Sequence, residues 1–169
     1  MHVASLVIAL YAFAANVSAQ KHPDYYTVIK NLQNGLNVTL NGTRRSVEFG
    51  AGSPCRYWKS YDAGNTKNWR YYGIAGSGYY VYLRYLKYLS GAIAQADTTA
   101  PSLFRLENDE HASYIISLET DATGQKLAWT AETNATDPRG NMIVKLRPYD
   151  RSDNQKFALT EEYINPDDC

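Results

Sequence analysis

Tyr25-Tyr26-Thr27-Val28-Ile29 and Ser113-Tyr114-Ile115-Ile116-Ser117 are β-rich stretches followed by the same landmarks at the same distances. Asp62 and Trp69 lie 36 and 43 residues after Tyr26, and Asp150 and Phe157 lie 36 and 43 residues after Tyr114. A third stretch, Tyr79-Tyr80-Val81-Tyr82-Leu83, leads to Asp97 and Phe104; it keeps the step of seven from Asp to aromatic but is 19 residues shorter in its middle. Self-similarity at a coarse period constrains the fold before any local pattern does. The spacing predicts three related units, at about residues 24–73, 78–108 and 112–163.

The closing segments carry the repeat residue by residue. Tyr61-Asp62 to Trp69, Ala96-Asp97 to Phe104 and Tyr149-Asp150 to Phe157 are each a polar turn that ends in a large ring. An Asp at the head of such a turn accepts hydrogen bonds from nearby backbone donors, while the ring supplies burial of roughly 2–3 kcal/mol. On this reading Trp69, Phe104 and Phe157 occupy equivalent core positions.

Local patterns read as short strands. Tyr25 to Asn31 is β-rich, Gln33-Asn34-Gly35 is a turn, Leu36 to Leu40 alternates, and Asn41-Gly42 is a hairpin dipeptide. Tyr79 to Arg84, Tyr88 to Ile93, Phe104 to Glu107, Ser113 to Leu118, Lys126 to Thr130, Met142 to Leu146 and Lys156 to Thr160 follow the same grammar. No sustained 3.6-residue apolar stripe appears; Arg84 to Ser90 comes nearest, and its tyrosines suit a twisted hairpin as well.

Residues 1–15 carry no Lys, Arg, Asp or Glu, and Val17-Ser18-Ala19 has the small-residue pattern of a cleavage site. A signal peptide over residues 1–19 is expected, although no Lys or Arg lies near Met1. The apolar run is shorter than the ~18–20 residues of a membrane span, so no membrane insertion is expected. The mature segment, 20–169, has the length of one domain with enough apolar and aromatic residues to close a core. With 17 basic and 17 acidic residues the chain has no net charge, which leaves no broad field for a phosphate backbone or an anionic membrane. Nucleic acid is therefore not an expected partner.

Other features fit an extracellular address. Asn37-Val38-Thr39, Asn41-Gly42-Thr43 and Asn134-Ala135-Thr136 are N-glycosylation acceptor sequences. The two cysteines, Cys55 and Cys169, would pair in an oxidising compartment, with free thiols or an intermolecular link as the alternatives. Such a bridge would close a loop of about 114 residues, worth at most ~4–5 kcal/mol in the chain-entropy model.

Three all-β units of four strands each are what a β-trefoil requires, and at these residues the chain resembles the ricin B-type lectin family. Units of that family open with a tyrosine-rich strand and a turn such as Asn34-Gly35 or Leu89-Ser90-Gly91, and close with Gln-x-Trp preceded by Asn. Asn154-Gln155-Lys156-Phe157 comes nearest; Lys67-Asn68-Trp69 and Ser102-Leu103-Phe104 lack the Gln. The resemblance extends over nearly all of residues 24–163 and implies an all-β trefoil that recognises glycans or glycoproteins without catalysis or a cofactor.

A sugar ring offers an apolar C–H face and a rim of hydroxyls, so its site needs an aromatic platform and fixed amide and carboxylate partners. The third unit has these types: Asn154 and Gln155 match the closing polar pair, and Asp121, Trp129 and Asp137 lie where the family places its carboxylate and ring. Asn154 equally suits a turn cap and Trp129 a core position, and the sequence leaves both readings open. The first unit offers Trp58, Tyr61, Asp62 and Asn65.

Enzymatic signatures are scarce. After the leader only His22 and His111 remain, neither with a partner at metal-ligand spacing, and there is no Gly-x-Ser-x-Gly elbow or phosphate-cradling glycine loop. A pair of carboxylates brought together in space for glycoside hydrolysis is not visible in a sequence. The main alternative is a secreted β-trefoil protease inhibitor acting through an exposed loop, for which Glu48 to Pro54 or Thr133 to Asn141, with Pro138-Arg139 at its centre, would serve.

Overall fold

The computed structural model describes residues 24–41, 46–50, 56–63, 68–74, 82–98, 100–135 and 141–164. The leader, both cysteines and Asp137 lie outside the described residues. Among the described residues twelve strands run in chain order: β1 (Asp24–Asn31), β2 (Asn37–Asn41), β3 (Ser46–Gly50), β4 (Tyr57–Asp62), β5 (Trp69–Ile74), β6 (Tyr82–Arg84), β7 (Gln95–Asp97), β8 (Phe104–Asn108), β9 (Ser113–Thr120), β10 (Lys126–Thr133), β11 (Met142–Pro148) and β12 (Phe157–Ile164). A single 3-10 turn (Asp153–Gln155) precedes β12 among the described residues.

Pairing closes six of these strands into a ring. β1 pairs β4, β4 pairs β5, β5 pairs β8, β8 pairs β9, β9 pairs β12, and β12 returns to β1. The other six form three hairpins, β2–β3, β6–β7 and β10–β11. The hairpins also bond to one another, through Ser46↔Gln95, Ile143↔Glu48 and the bridge Ile93↔Lys145. Ring closure leaves no open barrel edge, which is how a small all-β chain avoids exposing unpaired backbone groups.

The registers superimpose the three units in layers. Lys30↔Asn37, Gly73↔Tyr82 and Ile116↔Ala128 are matching rungs, so Ile29, Tyr72 and Ile115 are equivalent, spaced 43 residues apart. The same rungs make Val38, Leu83 and Trp129 equivalent, and the hairpin contacts make Val47, Ala94 and Val144 equivalent. A fourth layer is Trp58, Phe104 and Phe157, opposite Ile74, Ser117 and Asn31 in the next unit. All twelve side chains are fully buried in one cluster. Each is worth about 1.5–3 kcal/mol of burial for the larger apolar types, and together they fix which face of every strand points inward.

Two expectations change. The 43-residue step from Tyr26 to Trp69 runs from one opening strand to the next, so Trp69 begins the second unit on β5 and does not close the first. It is only half-buried; the first unit's closing ring is Trp58, whose Nε1 donates to Val38 O at 2.8 Å. Tyr88 to Ile93, expected as a strand, is a turn: Gly91 sits at φ 91°, Ala92 N donates to Leu89 O at 3.1 Å, and the pairing strand starts later, at Gln95. β3, β4, β5 and β7 were not among the expected strands.

Candidate functional site

The site is built on the loop between β11 and β12, where Gln155 works from below the surface. Its Oε1 accepts from Asp150 N at 3.1 Å and Arg151 N at 3.2 Å, while its Nε2 donates to Pro148 O at 2.8 Å and Thr130 Oγ1 at 3.1 Å. The side chain is 1% exposed. Gln155 is thus a clamp with its bonding capacity spent inside the protein, and its expected role as a sugar contact is corrected. At the same distance before Phe104, Ser102 does a comparable job: its Oγ accepts from Tyr85 N at 2.8 Å and shares a hydrogen bond with Tyr88 OH.

Trp129 requires the larger correction. It is 0% exposed, in the layer of Val38 and Leu83, with ring centroids of Tyr72, Phe104 and Phe157 at 5.6, 5.3 and 6.2 Å. A ring walled in by three others has no free face for a sugar. Trp58, the ring offered by the first unit, is equally buried.

Asn154 lies on the clamped loop and is half-buried. Its Oδ1 accepts from Ser152 Oγ at 2.7 Å, and its Nδ2 has no partner among the described residues. Its backbone O, with that of Lys156, accepts from Asn31 Nδ2 at 3.1 Å, which ties the β1–β2 turn to this loop. Asp150 heads the loop and accepts from Ser152 N at 2.9 Å; hydrogen bonding to Ser152 holds its carboxyl below the ordinary range.

Asp121 shapes the β9–β10 turn. Its Oδ1 accepts from Thr123 Oγ1, Thr123 N and Gln125 N, bonds that favour the carboxylate and lower its pKa. Tyr149 N donates to Lys126 O at 2.9 Å, so the Asp150 loop and the Asp121 turn share one end of the β10–β11 ladder. Of the five expected residues, that end gathers Asp121, Asn154 and Gln155; Trp129 belongs to the core.

The accessible ring here is Tyr149. It is half-exposed, meets Tyr114 edge-on at 5.7 Å between centroids, and donates from its OH to Glu107 Oε1 at 2.8 Å. Arg151, at φ 62°, lies 5.8 and 5.9 Å from the Tyr114 and Tyr149 centroids, bonds Tyr149 OH through Nε at 3.0 Å and pairs with Glu107. Tyr149 and then Arg151 hold the Glu107 carboxyl below its usual range. Asp109 accepts from His111 N at 2.9 Å, from Tyr114 OH at 2.8 Å and from Ala112 N at 2.8 Å, which bring its pKa down to about 2. An aromatic beside the closing turn was visible in the sequence; Glu107 was not, because it arrives from the second unit. In the first unit Tyr61 stacks on Tyr71 at 4.8 Å beside the Asp62–Arg70 ion pair, and Asn65 lies outside the described residues.

Among the described residues no cluster of three or more His, Cys, Asp or Glu is placed to hold a metal ion. No protein-family model and no curated sequence matches the chain. Solved structures do match. The designed three-fold symmetric protein ThreeFoil aligns with TM-score 0.59 at 18% identity, over 80% of this chain and 96% of its own. The Macrolepiota procera ricin B-like lectin, solved in complex with lactose, aligns with TM-score 0.58 at 16% identity, over 81% and 94%. The fold is a β-trefoil. The Haemophilus ducreyi cytolethal distending toxin matches at TM-score 0.51 and 18% identity, over 84% of this chain and 83% of that one. The β-trefoil plan accounts for the closed six-strand ring, the three hairpins and the layered equivalences.

Proposed function

We propose that this β-trefoil binds neutral glycans without catalysis, through the third-unit surface formed by Tyr149, Asp150 and Asn154, with Asp121 at its border. The observation that carries the reading is the pairing of a half-exposed aromatic, Tyr149, with a loop held from beneath by the four hydrogen bonds of Gln155. A ring edge for sugar C–H groups, carboxylates kept ionised, and an amide with a free donor are the groups a sugar's hydroxyl rim requires. Because the loop is already ordered, binding costs little further entropy. The lactose complex of a lectin with this fold supports the class of ligand.

The same reading makes residues 1–19 a cleaved leader and the mature chain an extracellular protein with N-glycans at Asn37, Asn41 and Asn134 and a Cys55–Cys169 bridge. A glycan array on the deglycosylated mature protein, followed by calorimetry with the best hit, tests it. Tyr149→Ala and Asn154→Ala should each weaken binding at least tenfold while Tyr149→Phe, which keeps the ring, retains most of it. A parent silent across the array that instead inhibits a trypsin-like or papain-like protease would overturn the proposal in favour of an inhibitor.

A further inference from the structure

The link between β6 and β7 presents apolar side chains outward on a backbone that is not free to fold them away. Leu86, Leu89 and Ile93 are 63%, 45% and 40% exposed. Gly91 N donates to Leu146 O at 2.7 Å, Leu146 N donates to Ala92 O at 2.9 Å, and Ala94 N donates to Val144 O at 3.2 Å, so the link is stapled to β11. Tyr88 OH bonds Ser102 Oγ on the other side. These leucines are displayed by construction. With Ala92, Gln95 and Lys87 they line an open groove of about 340 Å³.

The charges around the groove are one-sided. Among the described residues no carboxylate lines it, and Lys87 is its only charged side chain and has no ion pair. Neighbouring acids are already engaged: Asp97 by Arg84 at 3.0 Å, and Glu132 by Lys145 and Arg147. A second copy across a two-fold axis would bring a Lys87 from each side onto one small patch with no acid to receive it. A patch of a few apolar side chains also falls well short of the ~800 Å² per partner of a stable interface. An anionic bilayer attracts clusters of basic residues, and one lysine on a chain with no net charge supplies little of that pull.

We propose that this groove binds a single-chain monoanionic amphiphile of the fatty-acid class, the alkyl chain lying on Leu86, Leu89 and Ile93 and the carboxylate meeting Lys87. The volume lies in the range of small-ligand sites, and one ammonium matches one head group. The site lies on the second unit and does not depend on the glycan surface.

The test is titration of the full mature protein with sodium dodecanoate below its micelle concentration, read by calorimetry. Saturable one-to-one binding is expected, with a loss of roughly fivefold for Lys87→Gln, as for an exposed ion pair. Lys87→Glu should cost at least tenfold, and Leu86→Ser combined with Leu89→Ser should remove saturation, with thermal melting and glycan binding unchanged in all variants. No saturable binding, equal affinity for dodecyltrimethylammonium, or unaltered affinity in the variants would overturn the proposal. So would groove variants that change only cosedimentation with phosphatidylglycerol vesicles or only the oligomeric state.

Discussion

Replacing Gln155 with Ala separates a clamp from a ligand contact. The substitution removes four hydrogen bonds, and the partners differ in what they lose. Asp150 N and Arg151 N lie at a solvent-facing loop and can turn to water, whereas Thr130 is 2% exposed and Pro148 O sits beside the β10–β11 ladder. At a net ~0.5–1.5 kcal/mol per bond, the set amounts to about 3 kcal/mol. For a domain of this size that is a fall in Tm of about 6–12 °C. Urea unfolding of parent and variant, with calorimetric glycan binding at a temperature where both remain folded, is the assay. The clamp reading predicts a large stability loss and a moderate loss of affinity as the loop loosens. A variant as stable as the parent that no longer binds glycan would refute it and return Gln155 to the surface.

Trp129→Ala should cost about 3–5 kcal/mol, as for a buried ring, seen as a lower urea midpoint. Trp129→Phe should cost less than half as much, because the Nε1–H it removes is buried with no partner among the described residues. Asp109, with a pKa of about 2 in the folded state, contributes stability that is present above the ordinary carboxylate pKa and lost as pH falls toward 2; Asp109→Asn should flatten the melting profile over that acidic range. Leu83→Ala should destabilise by about 2–5 kcal/mol although it lies in the shortened unit, since it shares a buried layer with Val38 and Trp129; a melt unchanged from the parent would break the proposed equivalence.

The opening strands of the first and third units, the absence of helix-period patterning and the three-unit plan were all legible, because a β-rich stretch with a tyrosine survives in both copies. The phase of the repeat was not. The step of 43 residues is real, but the positions that recur at it are Ile29, Tyr72 and Ile115, whose side chains share only their burial. Trp69 follows Asp62 at the step of seven that Phe104 keeps from Asp97 and Phe157 from Asp150, and that likeness sets it at the wrong end of a unit. Ser46 to Gly50 alternates, yet its second half runs into Glu48 to Pro54, whose composition reads as a loop. At the site, Asn154 and Gln155 were found by motif, but a motif does not say which of two adjacent polar residues faces inward. That was set by Thr130 and Pro148, which reach Gln155 only once β10 and β11 have paired. Trp129 was misplaced for the same reason: an indole looks alike in a core layer and on a sugar platform.

The ladder joining β1 to β12 runs through eight residue pairs, from Asp24↔Ile164 to Asn31↔Phe157. The β12-facing edge of β1 can therefore be covered only after β12 has been made, although its other partners, β2 and β4, are made much earlier. During synthesis that β12-facing edge stays unpaired and exposed to misassembly, and its closure is a long-range, slow event. The same adjacency makes the protein a good substrate for rewiring. If the two ends are joined by a short linker and the chain is reopened between β4 and β5, every ladder is retained while β1 and β12 become neighbours in sequence as well as in space. Such a permutant should refold faster than the parent, and the difference would measure how much of the folding barrier is the search of one end of the chain for the other.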